Sequence, residues 1–297
     1  MVKIFVTGAA GYIGGSVAAA LMGAGHRVSG LVRNDERAAQ VRSRGIVPVL
    51  GTLDDGALLA QCARTADAVI HCADADHRAS VAALLNALRG SGKTFLQTSG
   101  SGIVSDGANG ERGDAVYADD TPVRPVPARE ARVALNRDIL ATAQHGVRPI
   151  VIAPTMIYGR GTGTNPNSIQ VPKMMALARK AGVAKVIGRG ENIWSNVHIE
   201  DLADLYMAAL DRAPAGAFYY AENGECSMQQ IAQAIAGVLE LGATASMTQA
   251  EAAAEWGEGP ARWSFGSNSR VRAVRARSEL GWAPQRPGLL ASIELHT

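Results

Sequence analysis

Three glycines, Gly8, Gly11 and Gly14, lie between a short apolar run, Ile4-Phe5-Val6, and an alanine-rich stretch that reaches Leu21 and Met22. Glycine accepts tight backbone conformations and lets a phosphate approach the main chain. If a helix follows the loop, its first N–H groups face that phosphate and its dipole favours the negative charge. The chemistry on offer is binding of a dinucleotide, with Tyr12 and Ile13 carried into the site by the same turn. About 20 residues past such a loop, an acidic residue at the end of the second strand usually takes the ribose 2′-hydroxyl of NAD. Here the sequence reads SGLVRNDERAA, with Arg33 in the acid's place and Arg37 one helical turn further on. Guanidinium groups bind a 2′-phosphate through several charge-assisted hydrogen bonds. NADP is therefore expected over NAD. The alternative is that Arg33 is a solvated strand end and Asp35 meets the ribose.

These residues need a frame to hold them. Strand-like runs cover 3–7, 27–32, 46–50, 68–72, 94–98 and 149–153. Helix-like stretches fall between them at about 12–24, 35–44, 55–64, 77–89 and 127–145. Alternation of this kind predicts parallel strands covered on both faces by helices. The expected fold is α/β, a doubly wound parallel sheet of the Rossmann type with a smaller C-terminal substrate lobe. The expected division places the cofactor domain at 1–155 and the lobe at 156–297, with about 185–211 returning to the core. The lobe opens on a long loop, GRGTGTNPN (159–167). It continues to an amphipathic helix in SMQQIAQAIAGVLEL, with Ser227 as N-cap. All four tryptophans lie beyond residue 150. Bulky rings there suit either a small core or a pocket wall.

Composition narrows the partners. The chain has 297 residues, a net charge of +2, 47% hydrophobic and 19% charged residues. So weak a net charge argues against nucleic acid or a polybasic membrane contact. No apolar run approaches the roughly 18 residues that span a bilayer. The N-terminus enters a strand directly, and a cytoplasmic location is expected. Cys62, Cys72 and Cys226 form no CxxC pair and no ligand cluster with histidine, so no metal site is expected. A small-molecule substrate is the expected partner, and a homodimer is compatible with the helices of such a sheet.

At this point the motifs resemble a family, the extended short-chain dehydrogenase/reductases of the NAD-dependent epimerase/dehydratase group. The glycine loop is similar to theirs. GTLDD (51–55) resembles their adenine-contacting segment, which implicates Leu53 and Asp54. VIHCAD (69–74) resembles the strand passing under the cofactor and implicates Cys72 and Ala73. LQTSGSGIVSD (96–106) resembles the segment bearing a catalytic Ser or Thr, which brings in Thr98, Ser99 and Ser101. APTMIYGRG (153–161) resembles the stretch beside the nicotinamide, with Pro154, Thr155 and Ile157. WSNVHIEDLADLYMAAL (194–210) and SELGWAP (278–284) complete the series.

One motif departs from the family. The resemblance implies a YxxxK pair on the helix after the fifth strand, whose tyrosine moves a proton as hydride moves. That helix reads VPAREARVALNRDIL, with Arg129 at the tyrosine position and Val133 at the lysine position. Arginine keeps its proton at any working pH, so it cannot act as general acid or base. It can still donate hydrogen bonds to an oxygen that gains negative charge. Gly100 stands near the usual serine slot, between Ser99 and Ser101. Tyr158 and Tyr117 are candidate replacement donors, beside the expected nicotinamide face and in a preceding loop respectively. His198 and Lys173 are expected to serve structure or solvation. The implied activity is an NADP(H)-dependent oxidoreductase of the atypical branch, acting on a small carbonyl or hydroxyl compound. A non-catalytic, NmrA-like nucleotide sensor and an epimerase or dehydratase are the alternatives.

Overall fold

The computed structural model describes residues 1–295. Seven strands form the central sheet: β1 (Lys3–Thr7), β2 (Arg27–Val32), β3 (Val47–Leu50), β4 (Ala68–His71), β5 (Thr94–Thr98), β6 (Arg148–Pro154) and β7 (Ala217–Ala221). They run parallel in the order β7-β6-β5-β4-β1-β2-β3. The strand order reverses between β1 and β4, so the crevice at their C-terminal ends is the natural ligand site of such a sheet. Six of these strands were expected within a residue or two. The seventh, AFYYA, comes from the C-terminal half and pairs with β6 from Ala217–Ile150 to Ala221–Pro154.

Both faces of the sheet are covered, which is why its strands read as nearly continuous apolar runs. Side chains alternate along each strand. Ile4 and Val6 join Ile70, Leu96 and Ile152 in one core, beneath α1 (Tyr12–Gly23) and α7 (Ile199–Arg212). Phe5, Val69 and Phe95 face the other way, against α3 (Gly56–Thr65), α4 (Arg78–Leu88) and α5 (Pro127–Ala141). Between α1 and α3 lies α2 (Asp35–Arg42), capped by the Asn34 side chain accepting from the Arg37 N–H.

A second core gathers Trp194, Trp256 and Phe265 with α6 (Gln170–Ala181) and α8 (Met228–Val238). Beside it, short strands Met156–Tyr158, Ile193–His198 and Glu225–Ser227 form a small sheet. Ser227 caps α8 as expected, in a reciprocal capping box with Gln230. The two cores are laced together. Tyr12 Oη donates to the carbonyls of Tyr158 (3.0 Å) and Gly159 (2.8 Å).

Candidate active site

The glycine loop is held by sterics that only glycine meets. Gly8 has φ +71°, and a Cβ there would stand 2.9 Å from the Cys72 carbonyl and the Ala73 nitrogen. A Cβ on Gly14 would stand 2.4 Å from the Gly8 carbonyl oxygen. The loop therefore seats α1 directly against the end of β4. The N-cap of α1 is Gly11, which brings no side-chain oxygen, and the first turn carries no acid. Its opening N–H groups are left for a ligand, where α2 and α3 spend theirs on Asn34 and Asp55.

Over this loop lies a cleft of about 970 Å³. Gly8, Gly11, Tyr12, Ile13 and Gly14 form its floor. Arg33 and Arg37 stand at the β2 end, Leu53 and Asp54 beside them, and Cys72, Ala73, Thr155 and Ile157 along the wall. Thirteen of the residues singled out for cofactor contact are thus brought together. Three are not. Thr98 is buried behind the wall, with its hydroxyl 3.1 Å from Cys72 Sγ and 2.6 Å from Tyr206 Oη. Burial pushes the Cys72 thiol up to about 12, so it stays protonated. Ser99 and Pro154 are likewise buried just outside the cleft.

Sequence reasoning missed the opposite wall. Thr164, Asn165, Pro166, Asn167, Ile169 and Gln170 line it. The 159–167 loop folds down on the glycine loop: Thr162 N donates to Ser16 Oγ, and Thr164 Oγ1 to the Ala10 carbonyl. A Cβ on Gly163 would collide with the Gly15 backbone at 2.4 Å. The spaced glycines of GRGTGT were the available signal. A smaller cavity of about 610 Å³, lined by Val2, Asp67, Arg148 and α7, lies at the other ends of the strands, away from the loop.

The ground just outside the cleft, around Gly100, departs from expectation in its details. Ser99 Oγ accepts from Asn136 Nδ2 at 2.9 Å, so α5 orients the hydroxyl. Ser101 is 1% exposed, and its hydroxyl accepts from Ser269 Oγ at 2.9 Å. Tyr158 is not brought to the cleft. Its hydroxyl donates to the Pro287 carbonyl (2.9 Å), its ring meets His198 edge-on, and burial pushes its pKa upward. It borders a separate hollow against α6 and the C-terminal helix. Tyr117 sits in a two-residue strand paired with Val271, its ring against the main core. His198 caps α7, accepting from the Glu200 N–H.

Arginines occupy the ground the tyrosines leave. Arg132 Nε and Nη2 both bond the Asp76 carboxylate, the former at 2.7 Å. This fork holds the Asp76 pKa below the usual carboxylate range. Arg132 Nη1 lies 3.7 Å from where a Gly100 Cβ would be, and that point is 4.0 Å from the Pro154 carbonyl oxygen. The Gly100 slot thus adjoins Thr155 and has room for a substrate atom. Arg129 is half-buried one helical turn before Arg132.

A sequence profile of the NAD dependent epimerase/dehydratase family matches residues 4–219. The chain belongs to that family. Oxidase ucsJ of Acremonium sp is 32% identical, over 99% of this chain and 96% of its own. A Stigmatella aurantiaca enzyme, 4-hydroxy-2-methyl-3-oxo-4-farnesyl-3,4-dihydroquinoline-1-oxide ketoreductase, is 27% identical over 75% of this chain and 68% of its own. Among solved structures, a dTDP-glucose 4,6-dehydratase from Bacillus anthracis in complex with NAD superposes with a TM-score of 0.79. It shares 17% identity and covers 99% of this chain and 95% of that one. That structure shares the doubly wound fold. Among the described residues, no helix is long and apolar enough to cross a membrane, and no cluster of His, Cys, Asp and Glu is placed to hold a metal ion.

Proposed function

We propose that the chain is an NADP(H)-dependent oxidoreductase acting on a small carbonyl or hydroxyl compound. The observation that carries this reading is a cleft that offers uncapped helix N–H groups and two arginines, with a side-chain-free position at Gly100, faced by a guanidinium, lying just outside it next to Thr155. The named relatives are an oxidase and a ketoreductase, which agrees with hydride chemistry.

The residues fit a phosphorylated dinucleotide. Gly8, Gly11 and Gly14 would admit the diphosphate, and Leu53 and Asp54 the adenine. Arg33 makes no hydrogen bond or ion pair among the described residues, and it lines the cleft while Asp35 does not. That arrangement supports a 2′-phosphate partner. When bound, the reduced nicotinamide supplies a hydride to a carbonyl carbon, and the balanced reaction adds one proton to the carbonyl oxygen.

The chain's own part is to bind and polarise that oxygen. Arg132 Nη1 is aimed at the Gly100 slot, because Asp76 fixes the other two nitrogens. Charge that develops on oxygen during hydride addition would meet a preorganised cation. Ser99, oriented by Asn136, retains its own hydroxyl hydrogen for the same oxygen. Arginine does not release its proton, so the proton gained by the product comes ultimately from water.

Titration of the purified protein with NADPH and NADH, followed by nicotinamide fluorescence, tests the cofactor assignment. NADPH should bind more tightly, and Arg33→Ala should lower its affinity ~10- to 100-fold while leaving NADH nearly unchanged. Equal binding of both would remove the 2′-phosphate role. Failure to oxidise NADPH with any of a broad carbonyl panel would remove the enzymatic reading.

A further inference from the structure

The Asp76–Arg132 fork leaves one neighbouring cation without a counterion. The charges that act on Arg129 are Arg132 and Asp76, and Asp76 is already bidentate to Arg132. Arg129 forms no ion pair among the described residues, and its buried Nε has no hydrogen-bond partner there. A half-buried, unmatched guanidinium is costly and calls for an anion. Its planar fork matches a carboxylate or a phosphate bidentately, and a carboxylate is the smaller and less highly charged of the two.

An aromatic ring and side-chain-free backbone adjoin Arg129. The Arg129 guanidinium lies 5.9 Å from the Trp263 ring centre, and Arg262 covers the same ring at 4.7 Å. Trp263 sits in a π-helical turn (Ala261–Phe265), and Ser105 Oγ fixes its carbonyl at 3.0 Å. Such turns often occur at functional sites. Gly102 turns a bare face to this group. Its Cβ direction meets only Ser105 Oγ at 3.6 Å, the Trp194 ring edge at 3.9 Å and an Arg129 terminal nitrogen at 4.0 Å. Two residues away, Gly100 meets Arg132. A ligand spanning Gly100 and Gly102 would touch one guanidinium at each end, with indole beside it.

We propose that Arg129 and Trp263 recognise a carboxylate on the substrate, which makes the substrate an oxo acid or the matching hydroxy acid. This rests on the oxidoreductase reading: Arg132 meets the reacting oxygen and Arg129 the carboxylate. The chemistry remains a hydride to the carbonyl carbon and a proton from water to its oxygen, with the reduced nicotinamide as the reductant.

The test separates recognition from turnover. Protein saturated with NADP⁺ is titrated with short 2-oxo and 3-oxo acids and with their methyl esters, following tryptophan fluorescence. An acid should bind at least ~10-fold more tightly than its ester. Arg129→Gln should erase that preference, and Arg129→Lys should restore part of it. NADPH affinity should persist in both variants, because Arg129 lies outside the cofactor cleft, and this reports that they fold. Acid and ester binding alike, no acid binding at all, or a preference that survives Arg129→Gln would each overturn the proposal. If an acid binds as expected but NADPH is never consumed with it, the carboxylate site stands and the oxidoreductase reading falls. If neutral ketones are reduced as well as oxo acids, independently of Arg129, the reverse holds.

Discussion

At the Gly8–Gly14 end of the cleft, specificity is written in backbone. Helix N–H groups and glycines that leave no room for a Cβ do the work, and side chains enter mainly as Arg33 and Arg37 at the rim. At the Gly100 end it is written in side-chain charge, with Arg132 braced by Asp76 and Arg129 beside Trp263. The first kind of site depends on a loop geometry and tolerates little change. The second can be rebuilt by exchanging a few side chains on a fixed helix. A family that keeps one loop and varies its chemistry would place its variation where this chain does.

The largest effect should come from the backbone end. Gly14→Val would drive a Cβ into the Gly8 carbonyl oxygen, now 2.4 Å from that position. Neither partner is a flexible side chain, so the loop itself must move. We expect NADPH affinity to fall at least ~100-fold, with a stability loss of ~1–3 kcal/mol. Fluorescence titration and thermal unfolding read both. Retained affinity would mean that the loop is not the phosphate cradle.

The charged end should respond in rate and not in cofactor affinity. Removing a preorganised donor from a reacting oxygen costs ~10²–10³ in kcat. Arg132→Ala should show that loss with the NADPH Kd unchanged. Asp76→Asn should cost less, because it loosens the guanidinium without removing it. An Arg132→Ala variant that loses cofactor affinity and keeps kcat would erase the distinction between the two ends.

The fold was legible because parallel strands buried on both faces leave apolar runs, and glycine loops leave spacing. Seven-residue β6 and four-residue β4 were both visible on that basis. β7 was not, because its short run AFYYA lies more than sixty residues beyond β6, after a stretch that supplies both the second core and α7. The cleft was legible for the same reason as the loop: most of the residues expected to line it are short runs at strand ends. The substrate side was not. Whether Tyr158 faces a ligand or the Pro287 carbonyl depends on how a distant C-terminal segment packs, and the bond spans 129 positions. The Asp76–Arg132 fork spans 56 and leaves no motif. The departure at Arg129 was visible; its neighbour Trp263 was visible only as composition.

A strand that ends at the cleft wall carries a buried histidine. His71, at the end of β4, is fully buried, with Nε2 3.0 Å from Ser80 Oγ. Burial is the main cause that pushes its pKa down to about 4. Unfolded, it titrates near ~6.5. The unfolded chain therefore binds more protons between those values, so stability is complete above the window and falls as pH falls through it. Unfolding temperatures across that range should decline, and His71→Gln should flatten the decline. An unchanged slope in the variant would assign the acid sensitivity to other groups.

Tyr158 provides the smallest effect and the sharpest cut. If the substrate end works through arginine, the Tyr158 hydroxyl serves only to satisfy the Pro287 carbonyl. Tyr158→Phe would then leave kcat within ~2-fold and cost ~1 kcal/mol of stability, the usual worth of one buried hydrogen bond. The pH–rate profile should also keep its shape, since no titrating donor has been removed. A rate loss of ~100-fold or more would make Tyr158 a proton donor that swings into the cleft. The charged end would then be one more version of the tyrosine mechanism, with Arg129 and Arg132 reduced to substrate binding.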